Sequence, residues 1–210
     1  QSLKMVPMMG YVTTTQELKK VILNFFTENP ATCGHYGRII NSKQFDRLVS
    51  YLKDGSIYHG GHYDRDQLYI EPTLLTDVAI DSPIMQQEIF GPLLPVLSYT
   101  SFEEAKSIIA RNPNPLAFYV YTENRTHEKA WLQQVPAGGA CVNNSIFHLL
   151  NHRLPFGGRG TSGVGAYHGK YSFDTFSHQK SVLRTPTWPD PALKYPPFKG
   201  KLNLLKKLIG

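Results

Sequence analysis

The chain has 210 residues, of which 41% are hydrophobic and 18% charged. That proportion of apolar residues is enough to bury a core, which excludes a disordered or fibrous protein. The formal net charge of +6 is compatible with an anionic partner but does not identify one. Two cysteines, Cys33 and Cys141, are too few for a disulfide scaffold and fit a reducing compartment. Because the first residues show no secretory signal and no apolar run has membrane-spanning length, we expect a cytoplasmic protein that binds no membrane.

Helical and extended patterns alternate as far as about residue 142. The first three helices are predicted over residues 14–28, from Ser42 to the Asp54-Gly55 pair, and after Ser101, which forms a capping box with Glu104. Further predicted elements are strands over residues 68–75, 93–99 and 116–121, a helix over 125–134, and a short strand ending at Val142. This repeating order predicts an α/β fold with a parallel sheet and crossover helices.

After residue 150 the pattern changes. Six glycines lie between residues 157 and 169, and three of them, Gly158, Gly160 and Gly163, have the G-x-G-x-x-G spacing of a dinucleotide site. No strand precedes them and no good helix can follow, so we interpret the segment as a structural glycine loop. A strand pattern returns over residues 174–184, and the remainder is Pro-rich and basic.

Other candidate sites are weak. Cys33 lies two residues before His35, but a thiol and its base must meet in space, so we interpret both cysteines as structural. The eight histidines are scattered, which predicts no metal site. No strand interleaves aromatic and basic residues, and we therefore expect no nucleic-acid partner.

One turn suggests a ligand. Glu88 stands immediately before Ile89-Phe90 and a Gly91-Pro92 turn. A carboxylate beside an aromatic ring on a short turn suits two vicinal hydroxyls and a flat heterocycle, although a solvated glutamate before a turn is equally common.

This turn and the glycine loop together resemble the aldehyde dehydrogenase superfamily, in particular its class 3 branch. The segments that carry the resemblance are EIFGP at 88–92, LPFGG at 154–158 with Gly160, Gly163 and Gly165, YHGKYSFDTFSH at 167–178, GRIIN at 37–41, YIEPT at 69–73 and YPP at 195–197. It begins near Tyr11 and covers nearly all of the chain, but only about the C-terminal half of a family member.

The resemblance implies NAD(P)-dependent oxidation of aldehydes to carboxylic acids by a cysteine nucleophile. Glu88 would hold the hydroxyls of the nicotinamide ribose and Phe90 would pack beside the nicotinamide. Residues Pro155, Phe156, Gly157 and Gly158 would form the wall of the active site. Residues 173–186 would form the strand that the family uses for subunit association, which implies a homodimer or association with a full-length subunit.

The departures from the family limit what this chain can do. The nucleophile's position falls at Val6, within a divergent segment over residues 1–10, so we expect no catalytic residue here. Residues 11–172 are expected to form a partial catalytic domain that binds NAD or NADP weakly, and residues 187–210 a basic tail. We expect the isolated chain to be inactive. It is either the C-terminal portion of an aldehyde dehydrogenase or a short non-catalytic isoform that binds full-length subunits. A new chemistry built on Cys33 is a remote third reading.

Overall fold

The computed structural model describes residues 4–7 and 11–209. Two compact units divide between Ser172 and Phe173. The strands are β1 (Lys4–Pro7), β2 (Ser56–His59), β3 (Tyr63–Asp64), β4 (Tyr69–Ile70), β5 (Thr73–Thr76), β6 (Leu93–Tyr99), β7 (Ala117–Val120) and β8 (Gly139–Val142). The α-helices are α1 (Tyr11–Phe26), α2 (Ser42–Ser50), α3 (Pro83–Gln86), α4 (Phe102–Ala110), α5 (Arg125–Gln134), α6 (Lys170–Phe176) and α7 (Leu202–Ile209).

The central sheet of the first unit has the order β1-β6-β5-β2. Strand β6 runs parallel to both β1 and β5, whereas β2 is antiparallel to β5. Every residue of β5 is buried, as expected of a strand covered on both faces. Strands β7 and β8 form a separate parallel pair joined by helix α5. The predicted α/β fold with parallel strands and crossover helices is confirmed.

The core of this unit lies where α2 and α3 pack on the central sheet. Its cluster of buried residues includes Phe45 and Leu48 from α2, Ile84 from α3, and Ile89 from the segment that leads into β6. Helix α2 begins where the Asn41 side chain accepts a hydrogen bond from the backbone N–H of Gln44, at 2.9 Å. Asn41 therefore fixes the start of the helix that carries Phe45 and Leu48 into the core.

Helix α5 covers strand β7 through an aromatic cluster. The ring of Trp131 lies 4.4 Å from that of Phe102, 6.0 Å from that of Phe118 and 6.4 Å from that of Tyr99, all between centroids. These rings come from α4, β7 and β6, so one tryptophan connects the central sheet with the β7–β8 pair.

Two of the predicted elements have the observed bounds, and others are shifted at their ends. Strand 93–99 and helix 125–134 have the predicted bounds, and the first helix covers residues 11–26 rather than 14–28. The predicted capping box forms in part: Ser101 caps the helix, but the Glu104 carboxylate bonds to Thr100, the residue before the cap. Ser101 Oγ accepts from the N–H of Glu104 at 3.1 Å, and the Glu104 carboxylate accepts from the N–H of Thr100 at 2.8 Å.

The structure differs from the sequence analysis over residues 174–184. We predicted a strand there, within the expected association segment 173–186. Helix α6 includes residues 170–176, and residues 177–186 adopt neither helix nor strand. A strand needs a neighbour for its backbone N–H and C=O groups, and none pairs with this segment within the described chain. The segment after residue 187 contains helix α7, with lysines in its last turn. No helix among the described residues is long and apolar enough to cross a bilayer.

Candidate active site

The turn that follows α3 presents alternate side chains to the core and to solvent. Ile89 is 1% exposed, whereas its neighbour Phe90 is 81% exposed. Glu88 is also exposed, and its carboxylate forms no hydrogen bond or ion pair with any residue that the structure describes. Phe90 adopts a φ of 51°, a left-handed conformation that is uncommon for a bulky residue and requires support from its surroundings.

Arg47 provides part of this support. Its guanidinium donates from Nη1 to the carbonyl oxygen of Glu88 at 3.0 Å, and from Nη2 to the carbonyl oxygen of Ile89 at 2.7 Å. The same side chain is oriented by Gln44, whose Oε1 accepts from Nε at 2.8 Å, and by the hydroxyl of Tyr51 at 3.1 Å. Helix α2 thus holds the backbone of the turn and leaves the Glu88 and Phe90 side chains free.

Gly91 and Pro92 complete the turn under tight steric limits. A Cβ added at Gly91 would lie 2.5 Å from Cδ1 of Leu48, so no larger residue fits without displacing the core. The carbonyl oxygen of Pro92 accepts from the N–H of Thr73 at 2.8 Å and so starts the pairing of β6 with β5. Position 91 must be glycine because the chain passes directly over helix α2.

An apolar cavity of about 330 Å³ lies beside this turn, between α1 and strands β5 and β6. Tyr36 lines it and donates from its hydroxyl to the carbonyl oxygen of Ile70 at 2.6 Å. Burial raises the pKa of the Tyr36 phenol well above its usual value, so the group stays neutral and polar at physiological pH. The other residues that line the cavity include Ile22, Phe26, Gly91 and Leu93.

The predicted wall residues form a second cluster. Phe156 and Tyr167 exchange two backbone hydrogen bonds of 3.0 and 2.9 Å, and the Phe156 ring stacks on His168 with centroids 6.0 Å apart. A Cβ on Gly157 would lie 2.1 Å from the carbonyl oxygen of Gly165, and one on Gly158 equally close to that of Ser162. These close approaches explain why both positions are occupied by glycine. Pro155, the remaining predicted wall residue, is exposed.

The glycine loop does not have the geometry of a phosphate-binding turn. Gly160–Ser162 forms a single 3-10 turn, Gly163 has a φ of 150°, and the next α-helix begins only at Lys170. A dinucleotide fingerprint requires its glycines to lead directly into a helix. The interpretation as a structural loop agrees with this arrangement.

Among the described residues, no hydrogen bond or ring contact joins the Glu88–Phe90 turn to the Phe156 cluster, and no group of three or more metal-ligating side chains is present. Val6 lies in β1, where its backbone pairs with Ser98. Sequence reasoning missed Arg47, because the polar face of a helix gives no sign of a contact more than forty residues away. It also missed that Cys141 meets His148, with Sγ 3.3 Å from Nδ1.

Comparisons with known proteins all match this chain to one family. The family model described as "Aldehyde dehydrogenase family" matches residues 6–182, starting slightly before the resemblance expected from Tyr11 onward. "Aldehyde dehydrogenase family 3 member H1" of Arabidopsis thaliana is 45% identical over 95% of this chain and 44% of its own length. The rat protein "Aldehyde dehydrogenase, dimeric NADP-preferring" is 42% identical over 89% of this chain and 42% of its own length.

A solved structure shares the fold. The substrate-bound state of Staphylococcus aureus AldH matches with a TM-score of 0.92 and 41% identity, covering 100% of this chain and 46% of that one. The chain thus spans less than half the length of each of these three relatives. Because the family model covers most of its residues, this chain belongs to the aldehyde dehydrogenase family.

Proposed function

We propose that this chain is the C-terminal portion of an NAD(P)-dependent aldehyde dehydrogenase that oxidises aldehydes to carboxylic acids. The observation that carries the proposal is the Glu88–Pro92 turn, with a free carboxylate and an exposed ring on a backbone held by Arg47. The family membership, and a relative named NADP-preferring, support a nicotinamide cofactor.

The residues of the turn fit such a cofactor chemically. The free carboxylate of Glu88 would accept hydrogen bonds from two adjacent ribose hydroxyls, and the flat face of Phe90 would pack beside the nicotinamide ring. When bound, the nicotinamide supplies the hydride acceptor for aldehyde oxidation. Arg47 keeps the turn in place before the ligand arrives, which lowers the ordering cost of binding.

Two features lead us to propose that the chain by itself does not turn over aldehyde. The resemblance puts the family's nucleophilic cysteine at Val6, and valine cannot form a thiohemiacetal. Removing a nucleophile that acts as part of a catalytic unit costs on the order of a million-fold in rate. Cofactor binding by one turn alone is expected to be weak, because the chain spans less than half the length of these relatives and would hold only part of the cofactor site.

A second candidate function is binding to full-length aldehyde dehydrogenase subunits. One relative is named dimeric, and this chain exposes large apolar side chains in its first unit, such as Phe25 at 65% and Ile40 at 81%. In this reading the chain would co-purify with a full-length subunit, whereas the first reading predicts a native protein of about twice its mass.

The experiment is a turnover assay on the purified chain with medium-chain and aromatic aldehydes and either NAD or NADP. We expect no NAD(P)H formation above a buffer blank, while circular dichroism shows the α/β fold. Turnover that disappears in Cys33→Ser or Cys141→Ser would overturn the proposal, because a relocated nucleophile would then be present.

A further inference from the structure

Strand β8 carries a thiol–imidazole pair outside the Glu88–Pro92 turn. Cys141 is half-buried, and its Sγ lies 3.3 Å from Nδ1 of His148, within hydrogen-bond range for sulfur. His148 lies in the 3-10 turn Phe147–Leu150, which follows the strand. A thiol in contact with an imidazole has a base positioned to take its proton.

The imidazole is held in this position from several sides. Its ring centroid lies 5.8 Å from that of Tyr119 and 5.8 Å from that of Phe156. Beneath it is Gly139, where an added Cβ would come within 2.9 Å of His148 Cδ2. Because any side chain at position 139 would displace the ring, glycine allows the imidazole to reach the sulfur.

The second ring nitrogen has no such contact. Nε2 of His148 is buried and lacks a hydrogen-bond partner among the described residues. Either neutral tautomer leaves this atom unsatisfied, so the ring gains polar contact only through the sulfur of Cys141. A buried polar atom without a partner is costly, and its presence in a fold calls for an explanation, of which a chemical role is one.

Cys33 provides an internal comparison. It is also half-buried, at the end of the 3-10 turn Pro30–Thr32, and no imidazole contacts its sulfur within the described part of the chain. His35, its neighbour in sequence, is not among its hydrogen-bond partners. Both thiols are thus partly buried, and they differ in the presence of a base.

We propose that Cys141 is a covalent modification site for α,β-unsaturated aldehydes, with His148 as its general base. Nδ1 takes the thiol proton while Sγ attacks the β-carbon of the enal. A C–S bond forms, and the π electrons of the C=C bond move onto the carbonyl oxygen as an enolate. The imidazolium then returns the proton to the α-carbon, which leaves a saturated thioether aldehyde.

This reaction adds S–H across a double bond, so nothing is oxidised or reduced. It needs no nicotinamide cofactor and no nucleophile at position 6, and it can succeed or fail independently of the proposed dehydrogenase role. Soft thiol nucleophiles prefer the β-carbon of an enal, and a positioned base accelerates such a step by about 10²-fold or more. Because the His148 ring contacts Phe156, the adduct would form next to the predicted active-site wall.

The experiment exposes the intact chain to propenal without cofactor and follows each cysteine peptide by mass spectrometry. We expect Cys141 to react on the order of 10²-fold faster than Cys33. His148→Asn keeps a polar atom near the position of Nδ1 but cannot accept a proton, so it should reduce the Cys141 rate to about that of Cys33. Cys33→Ser is the matched control and should leave the Cys141 rate unchanged.

The ratio of the two rates keeps the test valid even if His148→Asn unfolds. In the wild-type chain under denaturant the imidazole contact is lost, and we expect the two cysteines to react at about equal rates. Equal rates in the native chain would overturn the proposal. So would a native ratio that persists in denaturant or in a folded His148→Asn variant.

Discussion

Nη2 of Arg47 lies 2.7 Å from the carbonyl oxygen of Ile89, and this contact ties the turn of the candidate cofactor site to helix α2. The guanidinium holds only backbone atoms there, so the side chains on either side of Ile89 stay free. A rigid backbone with free side chains suits ligand binding, because little conformational entropy is lost when the ligand arrives.

Replacing Arg47 should loosen this turn. Arg47→Met keeps the length of the side chain but removes both donors, and it leaves the carbonyl oxygen of the buried Ile89 without its partner. We expect the free energy of unfolding to fall by about 1–3 kcal/mol in chemical denaturation. Lys43→Met, at an exposed position of the same helix, is the matched control. An equal effect of the two substitutions would show that Arg47 does not hold the turn.

The packing of Gly91 on Leu48 predicts a coupled pair of substitutions. Gly91→Ala places a Cβ 2.5 Å from Leu48 Cδ1 and should destabilise the chain by about 1–3 kcal/mol. Leu48→Ala removes the clashing atoms at a cost of its own of about 2–5 kcal/mol. The double variant should be more stable than the sum of the single changes predicts. Strict additivity in a double-mutant cycle would mean that the turn does not pass over Leu48.

The cap of helix α4 predicts a dependence of stability on pH. Hydrogen bonds from the hydroxyl and N–H of Thr100 hold the pKa of Glu104 below its ordinary value of 4.5. A lowered carboxyl pKa stabilises the folded state above that ordinary value, and the contribution is lost as the pH falls through the folded-state pKa. Thermal melts should show wild type more stable than Glu104→Gln at neutral pH, and the two should converge in acid. A difference that is independent of pH would contradict this account of the cap.

Much of the fold can be read from local patterns. Strand 93–99 is an apolar run between turn residues, and helix 125–134 starts at Asn124, whose side chain accepts from the N–H groups of Thr126 and His127. Both signals lie within a few residues of the element they define. Glu88 and Phe90 were also identifiable, because they stand beside a Gly91-Pro92 turn within the EIFGP segment that carries the family resemblance.

Other features depend on partners distant in sequence. The contact of Arg47 with the turn spans more than forty residues, and no local pattern predicts it. The pairing of Cys141 with His148 requires the chain to fold back over Gly139, although the two residues are only seven positions apart. The strand expected over residues 174–184 is a different case, because here the sequence analysis predicted an element that does not form. A strand forms only where another backbone is available to pair with it.

The central claim is that the Glu88–Pro92 turn forms the nicotinamide side of a cofactor site, and ligand-detected NMR titration of NADH against the purified chain tests it most directly. We expect weak, saturable binding with Kd on the order of 1 mM. Loss of the carboxylate in Glu88→Gln, or of the ring in Phe90→Ala, should weaken it about tenfold. Glu123→Gln, at another exposed carboxylate, should leave it unchanged. Binding that is equally strong in wild type, Glu88→Gln and Phe90→Ala, or no binding at all, would contradict the claim.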